Sequence, residues 1–202
     1  MYIIGLTGGI ACGKSAVAFE LRRYGAATLD IDTVTHELLM PGGLLFDTYV
    51  DHFGSYIVSP EGLLNKKLIG EIIFNDENER RWINSVAHPV LLNRVRDFLV
   101  ESSENGKRLA VLEVPLLFDV GWEKFVDETW AVFVSRSRQI WRLTQRDGIT
   151  LQQALVRLNA QMSTKEIRKR ADVVIKNDDG PRSKLRRQIK AALDKISYFS
   201  WR

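Results

Sequence analysis

The chain has 202 residues, of which 45% are hydrophobic and one is cysteine, and its formal net charge is +4. This length allows one sizeable core, and a single cysteine excludes an internal disulfide framework and a cysteine-based zinc site. The apolar runs are too short to cross a bilayer and no basic leader precedes the first of them, so we expect a cytoplasmic protein without a membrane partner.

The first predicted elements are a short buried strand over residues 2–6 and a helix over residues 16–23, joined by a glycine-rich loop. The loop matches G-x-x-x-x-G-K-[ST] from Gly8 to Ser15, a pattern typical of phosphate-binding loops. Glycines let the chain turn with unusual backbone angles and bring N–H groups close to phosphate oxygens. Lys14 would supply a charge for the β- and γ-phosphates, and Ser15 a hydroxyl for Mg²⁺. A turn without a ligand has no need of adjacent lysine and serine, so we favour phosphate binding.

The second predicted strand covers residues 26–29 and is followed by two carboxylates, Asp30 and Asp32. In an open parallel sheet, ligands bind at the C-terminal edge of the strands, where the phosphate loop also lies. Asp32 either caps a helix over residues 33–39 or takes part in catalysis. The two roles are compatible, and we favour a catalytic one because of the expected position beside the loop.

The next sixty residues have a helical pattern without strong strand signals. Helices are predicted over residues 44–53, from Asn65 to residue 74, over residues 77–86 and from Pro89 to residue 101. A large helical insertion at this place would bind the acceptor of a transferred group. His88 precedes Pro89, and a histidine in that position is more typical of a helix boundary than of a ligand.

A third predicted strand over residues 109–112 leads into Glu113. A carboxylate at the end of such a strand holds the water shell of Mg²⁺ in Walker B sites, although a strand-end charge facing solvent explains Glu113 equally well. For Leu116 and Leu117, in the turn that follows, a plain core position is favoured.

The fourth predicted strand, over residues 129–134, precedes a helix from Ser137 that carries Arg142 and Arg146 on one face. Two capping boxes follow, at residues 150–153 and 163–166, and the helix after the first carries Arg157. Short arginine-rich helices after a strand are typical of a mobile lid over a nucleotide, and the alternative is a solvated charged hairpin. The basic excess is concentrated here, and we attribute it to nucleotide chemistry rather than to nucleic-acid binding.

The last predicted elements are a strand over residues 172–175, a turn at Asn177–Gly180 and a helix that Pro181 opens and that ends near Ser197. We expect one α/β domain, residues 1–202, rather than two domains. Its predicted core is formed by residues 1–37, 102–136 and 171–202, its helical acceptor-binding insertion by about residues 38–101 and its lid by about residues 137–170.

Three classes of phosphate-loop protein compete for this pattern. A regulatory GTPase needs N-K-x-D to recognise guanine, and the segment Asn65-Lys66-Lys67-Leu68 fails at its last position. A nucleotide-sensing or DNA-associated ATPase does not need Asp32 beside the loop. A nucleotide or other small-molecule kinase explains the carboxylate, the helical insertion and the arginines together, with no nucleic acid and no obligate protein partner.

The same residues also carry a family resemblance that extends to about Asn177. The matching residues are Gly5-Leu6-Thr7-Gly8-Gly9-Ile10, Gly13-Lys14-Ser15, Asp30-Ile31-Asp32, His88-Pro89, Val114-Pro115-Leu116-Leu117-Phe118, residues 139–147, Arg157, Gln161, Ala171-Asp172 and residues 174–177. With them the chain resembles the dephospho-coenzyme A kinase family. The resemblance implies a P-loop kinase fold, a three-layer α/β/α architecture with a five-stranded parallel sheet, a helical coenzyme-binding insertion and a lid. It also implies transfer of the γ-phosphoryl group of ATP, with Mg²⁺, to the ribose 3′-hydroxyl of dephospho-coenzyme A, the last step of coenzyme A synthesis.

The resemblance assigns roles to several of the matching positions. Asp32 would accept the hydroxyl proton, while Lys14 and Arg142 would balance the charge of the transferred group, and Ser15 would hold Mg²⁺. The implied ATP-binding residues are Gly8, Gly9, Ile10, Ala11, Cys12, Gly13, Lys14, Ser15, Ala16, Arg146 and Asn177. The implied acceptor-binding residues are Asp32, His88, Leu116, Leu117 and Arg157.

Four departures from the family pattern stand out. Ala11-Cys12 replaces the usual Gly-Ser, Ala16 a usual Thr and Asp119 a usual Glu, and the Asn177 turn is shifted by one residue. An L-residue at position 11 restricts the loop unless its backbone angles are ordinary ones. Because Cys12 lies near a helix N-terminus and Lys14, we expect an acidic thiol that is open to alkylation and protected by ATP.

Overall fold

The computed structural model of the protein describes residues 1–178 and 180–196. Asp179, in the predicted turn, and Ser197, at the predicted end of the last helix, lie outside the described residues. Contacts between residues divide the chain into two units, one formed by Met1–Asp30 with the described part of Ser102–Arg202, and the other by Ile31–Glu101. We call them the first and the second unit.

The described chain contains five strands and nine α-helices. The strands are β1 (Tyr2–Thr7), β2 (Ala27–Asp30), β3 (Leu109–Glu113), β4 (Glu128–Phe133) and β5 (Val173–Lys176). The helices are α1 (Lys14–Arg23), α2 (Ile31–Leu38), α3 (Leu44–Phe53), α4 (Lys66–Asn75), α5 (Glu77–Glu104), α6 (Arg136–Asp147), α7 (Leu151–Asn159), α8 (Thr164–Arg170) and α9 (Arg182–Leu193). None of these helices has both the length and the hydropathy needed to cross a bilayer.

The strands form one parallel sheet in the first unit, in the order β2-β3-β1-β4-β5, which confirms the predicted α/β class and five-stranded sheet. Every residue of β3 is buried, as in parallel sheets that are covered on both faces. Fully buried side chains around the sheet include Ile4, Leu6, Leu21 and Trp130. Because β1 occupies the middle of the sheet, the loop that follows it emerges at the centre of the C-terminal edge.

Helix α1 is fastened to α9 by a buried carboxylate. Glu20 is 3% exposed, and its Oε2 lies 3.0 Å from Arg186 Nε and 3.6 Å from Arg23 Nη1. A buried carboxylate is tolerated when it is paired and hydrogen-bonded. The helix that begins at the phosphate loop is therefore held by the last described helix of the chain.

The second unit is helical, as predicted, but Asp32 is not a helix cap. Helix α2 begins at Ile31, immediately after β2, so Asp32 is its second residue. The reason is the spacing of Ile31, Val34 and Leu38, which are all buried on one helix face. Starting the helix at Ile31 completes that face and leaves Asp32 exposed in the first turn, where a negative charge is favourable.

Pro89 does not separate two helices as the sequence suggested. Helix α5 runs without a break from Glu77 to Glu104 and contains Pro89 in its interior. An interior proline removes one hydrogen bond and costs about 3 kcal/mol. Ala87, Leu91 and Val95 are buried at four-residue spacing across this point, and their packing keeps the helix continuous.

An aromatic cluster joins α3 to α5 in the second unit. The ring of His52 stacks on Trp82 with centroids 3.5 Å apart, and its Nε2 lies 2.6 Å from Glu79 Oε2. Tyr49 packs against the same tryptophan, and burial raises the pKa of its hydroxyl to about 12.

The predicted cap of α4 is confirmed, because Asn65 Oδ1 accepts a hydrogen bond from the Leu68 N–H over 3.1 Å.

Candidate functional site

The glycine-rich loop joins β1 to α1 and needs glycine for two separate reasons. Gly8 has φ 148° and lies so close to β4 that a Cβ there would be 2.5 Å from the Val132 carbonyl oxygen. Gly13 has the left-handed angles φ 85° and ψ 43°, and a Cβ there would collide with the side-chain amide of Asn177. Both positions therefore exclude other residues, as a tight anion-binding turn requires.

Ala11 is, within residues 1–178 and 180–196, the one non-glycine residue with positive φ, at 60°. The left-handed conformation costs an L-residue about 1–2 kcal/mol. The replacement of the family's usual glycine is therefore not accommodated by ordinary backbone angles. The loop keeps its shape with alanine at this position and stores strain in doing so.

Lys14 and Ser15 are the first two residues of α1, which begins two residues earlier than predicted. Lys14 Nζ donates to the Gly8 carbonyl oxygen over 3.1 Å, so the lysine folds back across the loop. Ser15 and Ala16 are exposed. The N-terminus of α1 carries a partial positive charge, and with the ammonium group of Lys14 it favours an anion at this place.

Two glutamines hold the backbone of Ile10 at both of its polar atoms. The N–H of Ile10 donates to Gln161 Oε1 over 2.8 Å, and Gln139 Nε2 donates to its carbonyl oxygen over 2.9 Å. Gln139 is 2% exposed on α6, one turn before the buried Leu143. Sequence reasoning gave neither glutamine a role, although a glutamine on the buried face of an arginine-rich helix is a signal for such a contact.

Arg142 and Asn177 contact the other half of the loop. Arg142 Nη1 donates to the carbonyl oxygens of Ala11 and Cys12, each over 3.2 Å, and its Nη2 donates to the Asn177 carbonyl oxygen over 2.9 Å. Asn177 Nδ2 donates to the Cys12 carbonyl oxygen, also over 2.9 Å. Two predicted site residues that are far from the loop in sequence are thus brought against it, and the charge of Arg142 lies beside the loop.

The expectation of an acidic, reactive Cys12 is wrong. The side chain is fully buried, and Gln139 Nε2 lies 3.4 Å from its Sγ. Burial raises the pKa of the thiol, and this effect outweighs the backbone N–H donors and the charges of Lys14 and Arg142. Buried thiols of this kind are inert, since the thiolate is the reactive form.

Arg146 and Arg157 converge on one carboxylate. Arg146 Nε lies 2.6 Å from Asp147 Oδ1, and Arg157 Nη1 lies 2.7 Å from Asp147 Oδ2. The hydrogen bond from Arg146 and the charges of both arginines hold the pKa of Asp147 below its usual value. Arg142 and Arg146 share a helix but contact different groups, and the ligand roles of Arg146 and Arg157 stay predictions.

Glu113 closes β3 in the interior and not in solvent. It is 3% exposed, and its Oε1 lies 3.7 Å from Arg22 Nη2. The register pairs it with Leu6 of β1 and Asp30 of β2 at the C-terminal edge of the sheet. The interpretation as a solvent-facing charge is therefore wrong, and a role near Mg²⁺ stays a prediction.

The two leucines after β3 differ in exposure. Leu117 is 1% exposed, and its side chain packs so closely on Gly5 that a Cβ added there would be 3.1 Å from it. Leu117 therefore lies in the core. Leu116 is 44% exposed, so the core position predicted for this residue is wrong. Asp119, where the family usually has glutamate, is also exposed. An acceptor-binding role for either leucine stays a prediction.

A cavity of about 250 Å³ opens beside the start of α1 and α9. Its apolar wall includes Phe19 and Pro181, and its polar wall includes Asn177 and Asp178. Phe19 is 50% exposed. The lining also includes the charged residues Glu20, Lys176, Arg182 and Lys184, so the cavity offers charged and apolar groups together.

Two predicted site residues belong to the second unit. Asp32 is exposed in the first turn of α2, and His88 is half-buried inside α5. His88 is not at a helix boundary, since α5 continues through it. The approach of Asp32 and His88 to the phosphate loop stays a prediction.

Known proteins resemble the chain over almost its whole length. The family model for dephospho-CoA kinase matches residues 2–182. Dephospho-CoA kinase of Symbiobacterium thermophilum is 40% identical over 192 residues, 95% of this chain and 80% of that protein. Its counterpart in Carboxydothermus hydrogenoformans is 38% identical over 199 residues, 98% of this chain and 96% of that protein. The crystal structure of TT1252 from Thermus thermophilus is 31% identical, with a TM-score of 0.82 over 97% of this chain and 98% of that one. The chain belongs to the dephospho-CoA kinase family.

Proposed function

We propose that the chain transfers the γ-phosphoryl group of ATP to the ribose 3′-hydroxyl of dephospho-coenzyme A, giving coenzyme A and ADP in the last step of coenzyme A synthesis. The observation that carries the proposal is the phosphate loop, in which left-handed Gly13 precedes Lys14 and Ser15 at the start of α1. Membership of the dephospho-CoA kinase family favours this acceptor over the other small molecules that the sequence pattern left open. ATP and dephospho-coenzyme A are water-soluble, and we propose a cytoplasmic location.

ATP would bind along the loop and into the adjoining cavity. The loop N–H groups, the Lys14 ammonium and the N-terminus of α1 would hold the β- and γ-phosphates. The adenine would enter the cavity between Phe19 and Pro181, and Asn177 borders both the cavity and the loop. An aromatic ring that is 50% exposed at such a wall offers a stacking surface for a base.

The residues at the loop fit Mg²⁺ that is bound together with the nucleotide. Ser15 presents an exposed hydroxyl oxygen at the start of α1, and oxygen is the ligand that Mg²⁺ takes. Within residues 1–178 and 180–196, no group of three or more His, Cys, Asp or Glu side chains could hold a metal. Mg²⁺ in kinases is bound by few protein oxygens and by substrate phosphates, and when bound it neutralises their charge.

Asp32 would act as the proton acceptor. Its carboxylate would take the proton of the 3′-hydroxyl while that oxygen bonds to the γ-phosphorus and the bond to the β–γ bridging oxygen breaks, so that ADP leaves. Exposure of Asp32 leaves its carboxylate accessible to an acceptor. Arg142 would balance the charge of the transferred group from its place beside the loop. By resemblance, His88, Leu116, Leu117 and Arg157 would contact the acceptor, and Arg146 would contact ATP.

The test is a coupled assay of ADP release with dephospho-coenzyme A beside AMP, adenosine and gluconate at equal concentrations. We expect the kcat/KM for dephospho-coenzyme A to exceed that of each other acceptor. Mass spectrometry of the product should place the new phosphate on the ribose. Equal rates with all four acceptors would refute the assignment of the acceptor.

A further inference from the structure

Helix α2 carries two exposed polar side chains one turn apart, Asp32 in its first turn and His36 in its last. Residues at this spacing share a helix face, with Cβ atoms about 5–6 Å apart. His36 also contacts a second helix, because Lys66 Nζ, at the start of α4, lies 2.8 Å from its Nδ1. All three residues belong to the second unit. The helix face that carries the proposed proton acceptor therefore also holds a lysine in a defined position.

The hydrogen bond between Lys66 and His36 orients the ammonium group. An ammonium group only donates, so Nδ1 of His36 is the acceptor and the ring proton is on Nε2. Both side chains are exposed, and the N-terminus of α4 adds a partial positive charge at the same place.

The adjacent lysine has different surroundings. Lys67 Nζ lies 3.9 Å from Glu71 Oε1, one turn further along α4, and its side chain is 90% exposed. Its charge is thus balanced by a carboxylate on its own helix. Lys66 is instead held toward α2 by an imidazole ring, which has no negative charge to balance the ammonium group. An anion would gain more from Lys66 than from Lys67.

We propose that Lys66, positioned by His36, binds the 5′-diphosphate of the acceptor. The inference rests on the proposed function. In dephospho-coenzyme A one ribose carries both the 3′-hydroxyl and the 5′-diphosphate, so two groups a few ångströms apart must be recognised together. Asp32 and His36, the residue that holds Lys66, lie one turn apart on one helix face. Lys66 is then an acceptor-binding residue, and His36 is a positioning residue.

Steady-state kinetics of the full chain separate this role from a structural one. For Lys66→Met we expect a KM for dephospho-coenzyme A about ten-fold higher or more, with kcat and the KM for ATP within about two-fold of wild type. Lys66→Arg keeps the charge and should restore most of the affinity. His36→Leu should raise the same KM. His36→Asn should have a lower KM than His36→Leu, because the asparagine amide oxygen can accept a hydrogen bond from Lys66.

Lys67→Met is the matched control, since it removes a lysine from the neighbouring position of the same helix. We expect wild-type kinetics from it. A KM for dephospho-coenzyme A that is unchanged in Lys66→Met, or equally raised in Lys67→Met, overturns the inference while the proposed function stands. A wild-type chain that does not phosphorylate dephospho-coenzyme A overturns both. Thermal melting of each variant identifies a loss of folding. If Lys66→Arg has both a raised KM for dephospho-coenzyme A and a lowered melting temperature, that result also counts against the inference.

Discussion

Gln139 on α6 donates a hydrogen bond from Nε2 to the carbonyl oxygen of Ile10 over 2.9 Å, and so joins the first helix of the predicted lid to the phosphate loop. The same nitrogen lies 3.4 Å from Cys12 Sγ. A Cβ at Gly9 would come within 2.7 Å of it, so the loop and the amide fit closely. The shape of the loop therefore depends on a side chain that the loop motif does not contain.

Replacement of Gln139 by leucine should weaken ATP binding. The variant removes a buried donor from the Ile10 carbonyl oxygen, a loss of about 1–3 kcal/mol, or about five- to 150-fold in affinity if the loop loses its binding shape. Titration calorimetry with ATP measures the effect. Gln145→Leu, at an exposed position of the same helix, is the control and should bind as wild type does. Equal affinities for both variants would contradict the role given to Gln139.

Ala11→Gly should stabilise the protein. Glycine adopts φ 60° without strain, and the gain of about 1–2 kcal/mol exceeds the entropy that a glycine adds to the unfolded chain, about 0.4–1 kcal/mol. Urea unfolding should show a higher midpoint at unchanged slope. Ala191→Gly, at an exposed position inside α9, should lower the urea midpoint, because it should lose about 1 kcal/mol of unfolding free energy. A decrease of stability in both variants would show that Ala11 is not strained.

Cys12 should resist alkylation with and without ATP, because its thiol is buried. Its pKa is raised in the folded state, so the folded chain keeps the proton to higher pH than the unfolded chain. The resulting stability is complete below the ordinary thiol pKa and is lost as the pH rises through the folded pKa. The difference in urea midpoint between wild type and Cys12→Ser should therefore shrink as the pH rises above 9.0, the ordinary value. Rapid alkylation of Cys12 in the folded chain would contradict the prediction that the buried thiol is unreactive.

Asp32→Asn should keep ATP binding and lose turnover. A general base contributes about 10²–10⁴-fold to a rate, and asparagine cannot accept the proton. Calorimetry with ATP and the coupled ADP assay separate the two effects. Glu37→Gln, an exposed carboxylate on the same helix, should keep full activity. If Asp32→Asn is as active as Glu37→Gln, Asp32 is not the proton acceptor, and its charge only stabilises the first turn of α2.

The parts of the fold that the sequence predicted well depend on local chemistry. Alternation of apolar strands with capped helices was enough for the five-stranded sheet and for the Asn65 and Thr150 caps. The two errors in the second unit arose where tertiary packing outweighs a local signal. Asp32 is a good cap by residue type, and Pro89 is a good helix start. Burial of one face of α2 nevertheless starts that helix at Ile31, and burial along α5 keeps it continuous through Pro89.

The parts of the site that the sequence did not predict depend on distant pairs. Gln139 and Gln161 contact Ile10 across separations of 129 and 151 residues, which no spacing rule in a single chain can detect. Cys12 was misjudged because a loop motif indicates nearby charge but not burial. The shape of the loop was predicted well, since Gly8 and Gly13 each have a local steric reason to be present, while the ligand roles of Lys14 and Ser15 stay predictions.

The central place of β1 in the sheet has a consequence for how the protein is made. Ribosomes deliver this strand and its loop before the neighbours that shape the loop, which extend from β4 to Asn177. A growing chain thus carries the loop motif before the residues that hold the loop in shape have been translated. If the loop binds ATP as proposed, ATP would stabilise chains that contain these residues and would give less protection to truncated products that lack them.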